Sequence, residues 1–199
     1  MVSNAPLWVF GCALLFFHTS EYYLQSRHVP TRLSLETLLL SPQYLTALGI
    51  GLMEYLIEKR LFNWKEGVYG RVSFWCGLIG IVVGELLRKM AMLQNRWFTH
   101  MIATERRNGH RLITTGVYRY IRHPGYAGWF IWAISTQIML ANPISTIGYG
   151  VVSWYFFNDR IKYEEALLLD FFGLEYEKYI TRTVTGVPGV RGAGELIAS

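Results

Sequence analysis

Two short polar stretches hold most of the residues suited to chemistry. The first, His110 to Tyr126, reads HRLITTGVYRYIRHPGY, and the second, Asn158 to Glu165, reads NDRIKYEE. In the first, Thr115-Gly116 offers a turn, and Arg122-His123-Pro124 makes an extended lead into a helix beginning at Pro124. Proline disfavours helix in the residue before it and suits the first helical turn itself. A helix start presents unpaired N–H groups and partial positive charge, which suits a carboxylate or another anion. The plainer reading is a helix that merely begins at Pro124, with Arg122 snorkelling to the surface. In the second stretch Arg160 and Glu164 stand four apart on one helical face, with Glu165 beside them. On a soluble helix that spacing is an ordinary ion pair worth a few tenths of a kcal/mol. At the end of a membrane span, ionisable groups tend to face a cavity or a partner instead.

Other candidates carry less. Glu54 and Glu85 are embedded in apolar runs, but Glu85 is followed by Arg88 and Lys89, so a structural ion pair explains it and neither is read as catalytic. Gly77, Gly80 and Gly84 have the small-residue spacing of close helix packing. Cys12 and Cys76 lie far apart in apolar runs and form no disulfide framework or C-x-x-C site. No H-E-x-x-H, Walker loop or G-x-S-x-G elbow occurs, and His18, His28, His100, His110 and His123 show no ligand spacing. Metal, ATP and serine-hydrolase mechanisms have no support, and no metal is expected.

The elements that must position these residues follow from composition. Of 199 residues, 52% are hydrophobic and 17% charged, below the quarter or so usual for a soluble domain. The net charge of +5 comes from basic residues set between apolar stretches, which fits a membrane surface and not nucleic acid. Apolar segments run from Leu7 to Leu24, Tyr44 to Ile57 (a span only if extended to Leu61 and Phe62) and Val68 to Leu87. Two more, Pro124 to Leu140 and Ile144 to Phe157, are separated by Ala141-Asn142-Pro143, a tight turn between antiparallel helices. Between Arg88 and Arg122 eight basic residues oppose Glu105 alone, so this connection is expected on the cytoplasmic side. Tyr163, Leu167, Asp170, Phe171 and Leu174 recur at helical spacing.

The expectation is therefore an all-α, polytopic integral membrane helical bundle of about five spans, with a C-terminal amphipathic cytosolic helix. It forms a single membrane domain: three spans over 1–93, a cytosolic connection over 94–123, a helical hairpin over 124–158, the C-terminal helix over 159–185 and a loop-like, fraying tail over 186–199. Leu87 to Met101 is a possible sixth element. The topology sets both polar stretches at the cytoplasmic end of the hairpin, as neighbours in space.

GVYRYIRHPGYAGW, an Asn-Pro hairpin and then R-x-x-x-E-E resemble the isoprenylcysteine carboxyl methyltransferases of the endoplasmic reticulum. Glu54-Tyr55, Gly84-Glu85-x-x-Arg88-Lys89-x-Ala91-Met92, Asn142-Pro143-Ile144, Phe171-Phe172-Gly173-x-x-Tyr176 and Thr185-Gly186-x-Pro188 extend the resemblance over roughly residues 31 to 190. RHP-x-Y and the Glu pair are shared with other membrane methyltransferases and reductases. The resemblance implies S-adenosylmethionine as methyl donor, S-adenosylhomocysteine as product, and the free carboxylate of a prenylated C-terminal cysteine as acceptor. The implied partners are CaaX-processed proteins such as small GTPases and the lipid bilayer, at a site facing the cytosol.

Carried over by motif, the donor positions are His110, Arg111, Leu112, Ile113, Tyr118, His123, Pro124, Gly125, Tyr126 and Glu164. Arg160 is the substrate-binding position, and Arg160 and Glu164 are the catalytic pair. Ala103 stands where the family pattern has a glutamine, and Gly125 where serine is common. Phe74, Trp75, Trp129, Phe130 and Trp132 are candidates to line a prenyl path, or are interfacial filler. Competing readings are a methyltransferase for a phospholipid amine or another lipophilic acceptor, a non-catalytic membrane adaptor, and an NADPH reductase.

Overall fold

A computed structural model describes residues 4–28, 38–106 and 108–194. Arg107 of the basic connection, residues 31–37 at the start of the resemblance and the tail end at 195–199 lie outside these residues. The described helices are α1 (Ala5–His28), α2 (Pro42–Leu61), α3 (Val68–Gln94), α4 (Pro124–Met139), α5 (Pro143–Phe172) and α6 (Leu174–Ile180). Their starts are legible in the chain: Ser41 Oγ accepts the Tyr44 N–H at 3.1 Å, and proline occupies the first turn of α2, α4 and α5.

α1, α2 and α3 cover the three N-terminal apolar segments, and α2 reaches Leu61 as its length required. α3 runs on to Gln94, so residues 87–94 are its last turns and not part of a sixth element. α5 continues without a break for 30 residues, about 45 Å at 1.5 Å per residue. The charged stretch after Asn158 is therefore the far half of the hairpin arm, where a separate helix over 159–185 was expected. Gly173, with φ of 51°, ends it, and the short α6 follows.

The glycine spacing on α3 serves close packing against α4. A Cβ on Gly84 would sit 2.6 Å from both Gly128 O and Trp132 N, and one on Gly128 would sit 2.7 Å from Arg88 N. α1 covers this pair, with Phe17 stacked on a buried Trp132 at 4.1 Å. At the hairpin, Ala141 takes a left-handed φ of 53° and Lys65 Nζ donates to Leu140 O, Ala141 O and Asn142 Oδ1, each at 2.8 Å. Glu54 accepts the N–H groups of Ile144 at 2.8 Å and Ser145 at 2.7 Å, so this intrahelical acid caps the start of α5.

The charges of α1 and α3 meet inside. Glu21, with no exposed surface, accepts from Arg88 Nε at 2.9 Å, Arg88 Nη2 at 2.7 Å and Lys89 Nζ at 2.5 Å, and pairs with His100 Nε2 at 2.8 Å. Of the ion pairs expected for Glu85, only that with Lys89 forms, at 3.2 Å. Arg88 goes to Glu21 because a fully buried carboxylate has more to gain from it. Among the described residues no helix is long and apolar enough to cross a membrane. The apolar runs include charges that hydropathy averages in but that the fold turns inward, while Trp8, Leu15, Ile79, Ile147 and Val152 stand exposed on the outer faces.

The tail also departs from expectation. Arg122 N donates to Val184 O at 2.9 Å and His123 N to Thr185 O at 3.2 Å, and Val187, Val190 and Ala193 are buried. Residues 184–193 are thus docked, because the lead into α4 supplies backbone partners and α5 an apolar face.

The packing yields a contrast. Gly84→Ala should lower stability by about 1–3 kcal/mol, since its methyl meets backbone. Gly11→Ala, with nothing within 4 Å of the new atom, should be neutral or slightly stabilising. Thermal unfolding of the detergent-purified variants reads the difference.

Candidate active site

The start of α4, the turn over Gly116–Arg119, the last turns of α5, α6 and the connection after α3 enclose one cavity. Its walls include His110, Arg111, Leu112, Ile113, Tyr118, His123, Pro124, Gly125, Tyr126 and Glu164, all the donor positions implied by the resemblance, and also Ala103. Trp97, Phe98, Phe171, Phe172 and Tyr176 complete much of the rest. Arg160 stands outside this wall, in an adjoining shallow groove with Met101, Ile102, Phe156 and Tyr163.

Met101 lines both cavity and groove, and Tyr126 in the cavity wall is hydrogen-bonded to Arg160 in the groove. Arg160 Nε donates to the Tyr126 hydroxyl at 2.9 Å, and the hydroxyl donates to Glu164 Oε2 at 2.6 Å. Arg160 and Glu164, four apart on α5, are therefore joined through Tyr126 and not paired directly. Arg160 Nη2 also donates to His100 O at 2.6 Å, and His100 is held by Glu21. Glu21 thus supports Arg160 through His100 and α4 through Arg88, whose Nη1 donates to Gly125 O at 2.9 Å.

Beneath the cavity lies Glu165, with no exposed surface. It accepts from Arg122 Nε at 2.5 Å and from Ala193 N at 2.6 Å, and it pairs with His123 Nε2 at 2.8 Å. Burial pushes this carboxyl upward, but the His123 and Arg122 contacts outweigh it and hold it below the usual carboxylate range. Arg122 does not snorkel. Its Nη1 and Nη2 donate to Thr183 O and Arg191 O, each at 2.7 Å.

The other walls are equally tied. Tyr118 donates its hydroxyl to Ala91 O at 3.2 Å, Tyr179 to Tyr118 O at 2.6 Å, and Val117 N to Gln94 Oε1 at 2.8 Å. Burial raises Tyr118 and Tyr179 above the ordinary phenol range, so both stay protonated. His110 packs between Trp97, at 5.2 Å, and Phe172, at 5.3 Å, while Arg106 covers the Phe172 ring and donates to Phe171 O at 2.7 Å. At Gly125 a Cβ would meet Phe98 Cε2 at 2.8 Å, so an aromatic edge occupies the space a serine would need. Of the aromatics considered for a prenyl path, Trp132 is core and Trp75 points outward, while Trp129 and Phe130 pack beside Phe157 and Tyr126. No group of described His, Cys, Asp or Glu residues could hold a metal ion.

Sequence reasoning missed Glu21, Arg88 as a support of α4, and the Arg122–Glu165 pair. An acid within an apolar run was a signal for Glu21, and the doubled Glu164-Glu165 was one for the last. The partners, 37 and more residues away in sequence, gave none.

Residues 75–170 match the isoprenylcysteine carboxyl methyltransferase family model. The chain is 44% identical over 180 residues to protein-S-isoprenylcysteine O-methyltransferase B of Arabidopsis thaliana, covering 89% of this chain and 90% of that one. It is 41% identical over 184 residues to the Homo sapiens protein-S-isoprenylcysteine O-methyltransferase, covering 91% of this chain and 64% of the human one. Its fold matches the solved structure of the eukaryotic intramembrane Ras methyltransferase, isoprenylcysteine carboxyl methyltransferase, with a TM-score of 0.85 and 36% identity over 96% of this chain and 70% of that one. The all-α architecture is that of an intramembrane methyltransferase. The chain belongs to the isoprenylcysteine carboxyl methyltransferase family.

Glu165→Gln keeps the shape and removes the charge that Arg122 and His123 need. Leaving the buried Arg122 cation uncompensated should cost about 3–5 kcal/mol and release residues 184–193 to protease. In the unmutated chain a carboxyl held low when folded stabilises above its ordinary pKa and loses that contribution as pH falls through the lowered value. Tail cleavage should therefore rise only in acid, as followed by limited proteolysis across a pH series.

Proposed function

We propose that this chain esterifies the C-terminal carboxylate of prenylated cysteine in CaaX-processed proteins, small GTPases among them, with S-adenosylmethionine as donor and S-adenosylhomocysteine as product. The observation that carries this reading is the Arg160–Tyr126–Glu164 connection, which puts a carboxylate-binding group at the edge of a cavity with acidic, aromatic and helix-start walls.

The residues present suit the donor. Glu164 would hold its ammonium, the start of α4 at His123, Pro124 and Gly125 its carboxylate, and His110, Arg111, Leu112, Ile113, Tyr118 and Tyr126 its remaining walls. When bound, the donor supplies a methyl group on a positively charged sulfur. Arg160, permanently protonated, would grip the acceptor carboxylate with its fork of N–H groups and aim one oxygen at that methyl. The acceptor is ionised at neutral pH, with an ordinary pKa near 3.5, so no general base is required of the chain. Opposite charges would cancel as the methyl passed from the donor's sulfur to the carboxylate oxygen, and the half-buried setting of Tyr126 and Glu164 favours that change over bulk water. Arg160 thus contributes proximity and orientation.

The reading includes the membrane. α1 to α4 and residues 144–157 of α5 would be five spans in the endoplasmic reticulum membrane, with Arg160, Glu164 and the donor cavity on the cytosolic side. The large apolar side chains on the outer faces and the inward placement of Glu21, Glu85 and Arg88 support it. The groove of Met101, Ile102, Phe156 and Tyr163 beside Arg160 would receive the prenyl chain from the bilayer.

Transfer of labelled methyl from S-adenosylmethionine to N-acetyl-S-farnesylcysteine tests the proposal. The unmutated chain should form base-labile ester. Arg160→Ala should lose about a hundredfold or more in kcat/KM while still binding donor, and Arg160→Lys should recover little because it lacks the fork. Ester formation undiminished in Arg160→Ala would overturn the assignment of Arg160.

A further inference from the structure

Four tyrosines line the cavity, and three have their hydroxyls placed within the protein: Tyr118 on Ala91 O, Tyr126 on Glu164 and Tyr179 on Tyr118 O. The fourth, Tyr176, is 1% exposed, and its hydroxyl has no hydrogen-bond partner among the described residues. A buried hydroxyl left unpaired costs about 1–3 kcal/mol. Ring packing alone does not call for it, since Phe171 and Phe172 line the same cavity without one. The nearby carboxylates do not serve it either. Glu165 is occupied by Arg122, His123 and Ala193 N, and Glu164 Oε2 takes the Tyr126 hydroxyl.

We infer that the Tyr176 hydroxyl is a further donor-binding group, giving its hydrogen bond to the α-carboxylate of S-adenosylmethionine. The inference rests on the donor reading above and deepens it. Tyr176 sits at the charged end of the cavity, where Glu165, Arg122 and Glu164 all act on it electrostatically. A ligand ammonium on Glu164 has its carboxylate one carbon away. With Glu165 matched by Arg122 and Glu164 by the ammonium, a neutral hydroxyl there donates to that carboxylate without adding charge, and burial keeps the phenol protonated. Gly173 makes the placement possible: its left-handed turn ends α5 and folds α6 back, so that Tyr176 N donates to Gly173 O at 3.0 Å and the ring enters the wall.

Tyr176→Phe removes only the hydroxyl. Because that group has no partner among the described residues, the melting temperature should not fall. Calorimetric titration of the detergent-purified full chain with S-adenosylmethionine should show about tenfold or more weaker binding, the size expected for one hydrogen bond to a charged group. Titration with decarboxylated S-adenosylmethionine, which keeps the ammonium and lacks the carboxylate, should be unchanged by the substitution and shows that the site is intact. Unchanged affinity for S-adenosylmethionine in the variant overturns the inference, as does an equal loss for both ligands, which would place the hydroxyl on the shared nucleoside portion. If the unmutated chain binds neither ligand, the donor reading and this inference fall together.

Discussion

A carboxylate sealed from water is tolerable only if cations and N–H groups close around it, and at Glu165 this condition organises the cavity end of the molecule. The side chain comes from α5, its partners Arg122 and His123 from the lead into α4, and a backbone N–H donor from the C-terminal segment. Satisfying one charge therefore brings three distant parts of the chain together. Arg122, once committed to Glu165 through Nε, has two further nitrogens, and each donates to a carbonyl, Nη1 to Thr183 and Nη2 to Arg191. His123 is turned at the same time, with Nε2 on Glu165 and Nδ1 3.8 Å from Glu164. The orientation of the cavity floor follows from electrostatic necessity, not from shape alone.

Glu21 repeats the solution at the other side of α4. It gathers Arg88, Lys89 and His100, and through them steadies both the α4 start and the Arg160 guanidinium. Arg160 and Glu164 are flexible side chains held by neighbours that cannot move without exposing a charge. This distinguishes the arrangement from a surface ion pair, whose loss would cost little.

Features with local causes were legible in the sequence. Asn142-Pro143 marks the hairpin because proline constrains its own and the preceding residue, and Gly77, Gly80 and Gly84 mark the α3–α4 contact because only missing side chains allow it. The two polar stretches could be placed together because the hairpin returns the chain to the same end. What was not legible depended on partner choice over distance. Arg122 looks like a snorkelling residue until Glu165 is seen beneath it, and the tail looks loose because nothing in its own composition reveals the backbone edge at Arg122 and His123. Hydropathy also misleads, because it counts Glu21, Glu85 and Arg88 without knowing that they face inward.

The unbroken course of α5 joins the two ends of the molecule mechanically. Its first turn is clamped by Glu54, and the turn before it by Lys65 and Asn142, while Arg160 and Glu164 ride on the same rod some 16 to 21 positions further on. Each residue of a helix advances the azimuth by about 100°. One residue inserted or deleted between clamp and site would swing the guanidinium and carboxylate off Tyr126 by more than a quarter turn. The far turn is thus the angular reference of the catalytic end, and the length of α5 between them is as much a part of the site as the side chains it bears.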